Sequence, residues 1–165
     1  MLNIASTLQE QPKLSCSGKY LTFSLDQEQF GLEILKVREI IGYIDVTSVP
    51  QTAFYIKGVI NLRGQVIPVV DLRLKFGLQE KEITEQTCII VVEITVPKGS
   101  FLTGLIVDNV SEVLDITDEQ IEDPPSFGER MDSSFLLGMG KIGDRVKMLL
   151  NIDQVIGDEV SSTVL

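Results

Sequence analysis

Apolar positions along this chain fall into short, β-branched-rich runs separated by glycine, proline and acidic clusters. In residues 19–25, Tyr20, Thr22 and Ser24 alternate with Leu21, Phe23 and Leu25, which predicts a half-buried strand. Asp26 to Gln29 predicts a turn. Residues 30–34 read as a strand, with 37–41 as its continuation or partner. Pro50 marks a break. Residues 58–62 and 65–72 then flank a polar link with a glycine, predicting a hairpin whose tip presents Arg63. A helical turn follows over 72–76, ended by Gly77. In the second half, 88–96 is a strand stopped by Pro97-Lys98-Gly99-Ser100. Strands over 101–107 and 110–116 lead to a short helical turn capped by Thr117. A polar loop over 124–134 precedes strands at 135–142 and 146–152, and 153–157 reads as a short helix.

The second half repeats the first. Gly31 to Ile41 matches Gly104 to Leu114 at an offset of 73, Pro50 matches Pro124 at 74, and the hairpins match at 80. Residues 78–86, rich in Glu, Gln and Lys, form the boundary. The expected organisation is a tail over 1–17, one β unit over 18–86, a duplicate over 87–157, and a tail over 158–165. Many short strands with Gly/Pro turns indicate small barrels or a sandwich, not a parallel α/β sheet.

Charge narrows the classes of partner. A 44% hydrophobic content supports a core, and a net charge of −10 works against binding nucleic acid or an anionic membrane. No apolar run is long enough to span a bilayer. Residues 1–17 lack the cationic start and apolar block of a signal peptide, and Cys16 and Cys88 make no disulfide framework, so the cytoplasm is the expected location.

The chain has no histidine, which removes His-based triads and histidine zinc sites. It has no phosphate-binding glycine loop and no Cys-x-x-Cys pair. The carboxylate pairs Glu33/Glu39, Asp115/Asp118 and Glu122/Asp123 sit among other charges or in loops, where a solvated surface is the simpler reading. The expectation is a protein without catalysis, cofactor or metal.

A few residues stand out. Arg63 at the hairpin tip is either a solvated turn residue or half of an ion pair, with Glu39 as partner. Such an exposed pair would orient a surface more than add stability. Ile34 and Val37 read first as core. With Leu21 and Val110 they would line a seam between two β units, a place for a partner helix to lay its apolar face. Gly58 and its counterpart Gly138 mark a bulge or a close backbone approach. Residues 115–123 read as a solvated acidic edge.

The strings Phe30-Gly31-Leu32-Glu33-Ile34, Val37-Arg38-Glu39-Ile40, Gly58-Val59-Ile60-Asn61-Leu62-Arg63-Gly64 and Ile67-Pro68-Val69-Val70-Asp71-Leu72 closely resemble the CheW family of bacterial chemotaxis coupling proteins. The resemblance covers about residues 18–157. It implies two packed five-stranded SH3-like β-barrels and a non-enzymatic adaptor. Such an adaptor binds the cytoplasmic tip of methyl-accepting chemoreceptors and the regulatory domain of the histidine kinase CheA, within membrane-associated arrays. By motif position it implies that Arg63 and Glu39 are a functional surface pair. Leu21, Ile34, Val37 and Val110 would face the receptor helices, and Gly58 and Gly64 would be structural. No single residue is assigned to the kinase. The alternative is a small-molecule-binding double barrel with its ligand in the seam; an acid–base hydrolase using loop carboxylates ranks third.

Overall fold

A computed structural model describes residues 16–124 and 133–157. Most of the expected N-terminal tail, the C-terminal tail and most of the polar loop after Pro124 lie outside the described residues. In chain order the strands are β1 (Gly18–Leu25), β2 (Glu28–Glu33), β3 (Val37–Gly42), β4 (Ile56–Leu62) and β5 (Gln65–Asp71). After helix α1 (Leu72–Lys75) come β6 (Cys88–Val96), β7 (Gly99–Val107), β8 (Asn109–Ile116), β9 (Ile121–Glu122), β10 (Leu136–Ile142) and β11 (Arg145–Leu150), followed by helix α2 (152–157). The chain is all-β, as expected. A 3-10 turn at Ile34–Lys36 separates β2 from β3, and another at Asp118–Gln120 follows β8.

Two sheets form, in the orders β8-β1-β2-β11-β10-β9 and β3-β6-β7-β5-β4. This corrects one expectation. Neither sheet closes into a barrel, and one has six strands because the two-residue β9 adds to β10. The sheets do not follow the division between 18–86 and 87–157. Strands β1 and β2 belong to the sheet of β8–β11, and β6 and β7 to that of β3–β5. Each repeat gives its first hairpin to the other. The two parallel ladders show the reciprocity: Val69 pairs with Gly104, and Leu149 with Gly31. The antiparallel ladders match as well, Leu21 against Val113 and Ile90 against Ile40. Thus β2 and β3 map onto β7 and β8 at 73, β1 onto β6 at 69, and β5 onto β11 at 80.

The exchange explains the burial. In β6, Ile89 to Val92 are all buried, because the strand lies between β3 and β7 and is covered on both faces. In β1, Tyr20 to Phe23 are likewise buried, so the expected half-buried alternation does not hold there. The larger core cluster draws Leu21, Phe23 and Leu32 from one sheet and Val70, Ile90 and Leu105 from the other. A smaller one, with Ile60, Ile67 and Val91, belongs to the five-stranded sheet.

Candidate functional site

The β4–β5 hairpin turns through Arg63 and Gly64, with Leu62 paired to Gln65. Both central residues have positive φ, 53° and 86°, the pattern of a tight turn whose twist matches its strands. Gly64 meets that demand freely; Arg63 does so against its Cβ. The Asn61 Oδ1 accepts the Gly64 N–H at 2.8 Å and holds the turn. From this tip the arginine, 72% exposed, reaches back to Glu39 on β3. Nη1 donates to Oε1 at 2.5 Å and Nη2 to Oε2 at 2.6 Å, a two-pronged pair. The hydrogen bond from Arg63 holds the Glu39 carboxyl below the usual range, and the bond to Glu39 raises the guanidinium pKa.

The pair has a structural setting. Strands β3 and β4 are the two edges of the five-stranded sheet. Their connecting segment touches β4 through the bridge Thr47–Val59, with N–H to O distances of 2.9 Å both ways. Gly58 makes this contact possible. Its φ is +145°, the β4 register slips beside it, and a Cβ there would lie 1.9 Å from the Thr47 oxygen. Its counterpart Gly138 also sits at a register slip, against Ile121 and Glu122. Both readings of these glycines, bulge and close approach, apply at both positions.

The apolar residues expected to face a partner are placed differently. Leu21 is 3% exposed and lies in the larger core cluster, because β1 is an inner strand. As folded it offers no surface to a helix. Ile34, Val37 and Val110 are half-buried against the same cluster. They come from both sheets: Val37 pairs with Val92 and Val110 with Phe23. Glu39 and Arg63 stand elsewhere, over the smaller cluster on which Ile41 and Leu62 pack. The six residues therefore form an exposed ion pair, three half-buried apolar positions and one core residue.

One feature went unforeseen. Arg73, buried in α1, donates from Nη1 to Asp26 at 2.7 Å and to Asp108 at 2.8 Å, and from Nε to the Gln79 carbonyl at 2.8 Å. Burial opposes its charge, but the bond to Asp26 and the charge of Asp108 keep its pKa raised. A signal existed: a cation between Leu72 and Leu74, on a turn whose leucines face the core, needs buried acceptors. Near it an apolar cleft of about 480 Å³ opens, lined in part by Leu25, Phe30, Phe76, Phe135 and Met148. None of the residues expected to line the seam, Leu21, Ile34, Val37 and Val110, lines it.

The carboxylates considered for acid–base work have other occupations. Asp115 pairs with Lys19 and Glu122 with Lys141, each at 3.0 Å, and Glu39 is held by Arg63. Burial raises the Glu33 pKa, which Lys36 opposes. No metal-holding cluster of His, Cys, Asp or Glu occurs among the described residues, and no described helix is long and apolar enough to cross a membrane.

Fold and site together define a double-sheet β protein whose distinctive surface feature is an oriented ion pair on a hairpin tip. The sequence model of the CheW-like domain matches residues 19–160, and the chain belongs to that family. It is 40% identical over 146 residues to the chemotaxis protein CheW of Klebsiella aerogenes, covering 88% of this chain and 86% of that one. It is 34% identical over 139 residues to the Rhizobium meliloti chemotaxis protein CheW, covering 84% and 87%. The crystal structure of the scaffolding protein TtCheW from Thermoanaerobacter tengcongensis superposes with a TM-score of 0.77 at 36% identity, covering 87% of this chain and 97% of that one.

Proposed function

We propose that this protein is a non-catalytic chemotaxis adaptor. It binds the cytoplasmic tips of methyl-accepting chemoreceptors and the regulatory domain of the histidine kinase CheA, and holds the kinase under receptor control. It works in the cytoplasm, in membrane-associated arrays. The carrying observation is the Arg63–Glu39 pair, built on a strained turn in a chain of the CheW family. A turn that spends backbone freedom to place an arginine is spending it on orientation. In this reading Arg63 and Glu39 fix the register of a receptor helix. Ile34, Val37 and Val110 contribute half-buried apolar surface, while Leu21 supports from within. Receptor state then reaches the kinase as a difference in affinity between its states.

The test is isothermal titration of the protein into the CheA regulatory domain and, separately, into a receptor-tip fragment. Saturable binding to both is expected, with only the receptor affinity falling in Arg63→Glu. Absence of binding to either would overturn the reading.

A further inference from the structure

The repeats meet at two polar junctions related by the internal pseudo-symmetry. The Asp71 N–H donates to the Tyr55 backbone carbonyl at 2.8 Å, and the Asn151 N–H to the Phe135 backbone carbonyl at 2.7 Å. Helices α1 and α2 therefore leave their sheets in the same way. Arg73 and Asp153, 80 residues apart like the hairpins, hold equivalent positions on them.

Each residue clamps the same two places. Arg73 reaches Asp26, at the end of β1 in its own repeat, and Asp108, at the β7–β8 turn of the other repeat. Asp153 accepts the Thr95 N–H at 2.8 Å, at the end of β6 in its own repeat. It also holds the Lys36 Nζ at 2.9 Å and 3.0 Å, at the β2–β3 turn of the other repeat. Thr95 follows Asp26 by the 69 residues that relate β1 to β6. Lys36 maps at 73 onto Asn109, next to Asp108. The architecture is shared and the charge is reversed. Side-chain exposures of 9% for Arg73, 10% for Asp108, 20% for Lys36 and 31% for Asp153 leave the signs only partly screened.

We infer that this charge reversal decides which repeat closes on which. The hairpin exchange would otherwise allow two copies of the chain to pair first repeat with first and second with second. A first–first pairing sets Arg73 against the turn that carries Leu35 and Lys36, and a second–second pairing sets Asp153 against the turn that carries Asp108 and Asn109. Only the unlike pairing satisfies both junctions, and the unlike repeat of the same chain, joined through residues 78–86, is the one always at hand. The device is a repulsion built against the like repeat of a second copy, in addition to the attraction within one chain.

The test is the double charge swap K36D/D153K in the full chain. The swapped junction still joins opposite charges. In a first–first pairing Arg73 now meets an acid, and in a second–second pairing the lysine introduced at 153 meets Asp108. Wild type and variant are refolded from urea over a wide range of concentration and sized by light scattering. Wild type is expected to stay monomeric, while the variant's dimer fraction rises about ten-fold or more at the upper end. K36A/D153A, which removes the repulsions without adding attractions, is expected to fall between them. A double swap as monomeric as wild type would overturn the inference. A lysine at 153 cannot accept the Thr95 N–H, and the alanine pair loses the same bond, so an alanine pair as monomeric as wild type, or one that dimerises as much as the swap, would overturn it too.

Discussion

The Arg63 guanidinium lies along the Glu39 carboxylate with both prongs engaged, at 2.5 Å and 2.6 Å, joining the hairpin tip to the opposite edge strand of the same sheet. The pair is exposed on the arginine side, so it orients more than it stabilises. Arg63→Glu should leave the melting temperature almost unchanged and lower receptor-tip affinity about ten-fold or more. The exchange E39R/R63E separates two ways of acting. Recovered binding would mean that the partner reads the pair's geometry; continued loss would mean that it reads the arginine. Wild-type binding by Arg63→Glu would remove Arg63 from the receptor surface.

The same pair sets a pH signature. The folded Glu39 pKa lies below the ordinary 4.5, so its contribution is fully present above that value. It is lost as pH falls through the lower, folded value. A carboxyl-carbon NMR titration should place the Glu39 midpoint below 4.5 and return it toward 4.5 in Arg63→Ala. A wild-type midpoint at or above 4.5 would contradict the contact.

Glycine substitutions should divide sharply by position. At Gly58 a Cβ meets the Thr47 carbonyl backbone, which cannot yield without breaking the bridge to Val59, and the φ is hostile to any L side chain. Gly58→Ala should cost roughly 2–4 kcal/mol in urea unfolding. Gly42, with an ordinary φ and open space around it, should tolerate alanine within about 0.5 kcal/mol. Equal costs at the two sites would refute the close-approach account.

Much of this was legible in the sequence. The strand at 88–96 has the bounds read from its β-branched run, and both hairpins fall where their glycines and offsets place them. Strand partnership was not legible. An offset identifies repeats, but which hairpin lies on which sheet depends on contacts distant in the chain. That one missing fact misplaced Leu21: its alternation looked half-buried, and only the neighbours supplied by the other repeat, β8 and β11, make β1 and β2 inner strands. Arg63 and Glu39 could be paired from the sequence because a hairpin tip projects Arg63 and the family motif places Glu39 as its partner. Asp26 and Asp108 could not be paired, because both read as ordinary turn residues.

Asp71 caps α1, its Oδ1 accepting the Arg73 N–H at 2.9 Å and the Leu74 N–H at 3.4 Å. Burial pushes its pKa up, opposed by those bonds and by Lys57. An acid with a raised folded pKa loses stability as pH climbs from its unfolded value through its folded one. The second repeat carries Asn151 at the equivalent place. Asp71→Asn should therefore stay within about 0.5 kcal/mol of wild type at neutral pH. Relative to wild type it should gain between pH 4 and 7. Asp71→Ala, lacking the cap, should lose about 1 kcal/mol. Urea midpoints at both pH values check this; an asparagine variant that loses ground as pH rises would reverse the sign.

Cutting the chain after Gln86 provides the sharpest check on the hairpin exchange. Residues 1–86 carry β1 and β2 of one sheet and β3, β4 and β5 of the other. Without β6 and β7, β3 has no ladder partner and β5 loses the Val69–Gly104 pairing. Without β8 and β11, the β1–β2 hairpin stands alone, and an isolated hairpin is marginal in water. Fragment 87–165 suffers the mirror-image loss. Neither fragment should melt cooperatively alone, while an equimolar mixture should recover a cooperative melt and the β-sheet circular dichroism of the intact chain. Two fragments that each melt cooperatively would mean that each repeat can close its own sheet, and would set the exchanged topology aside.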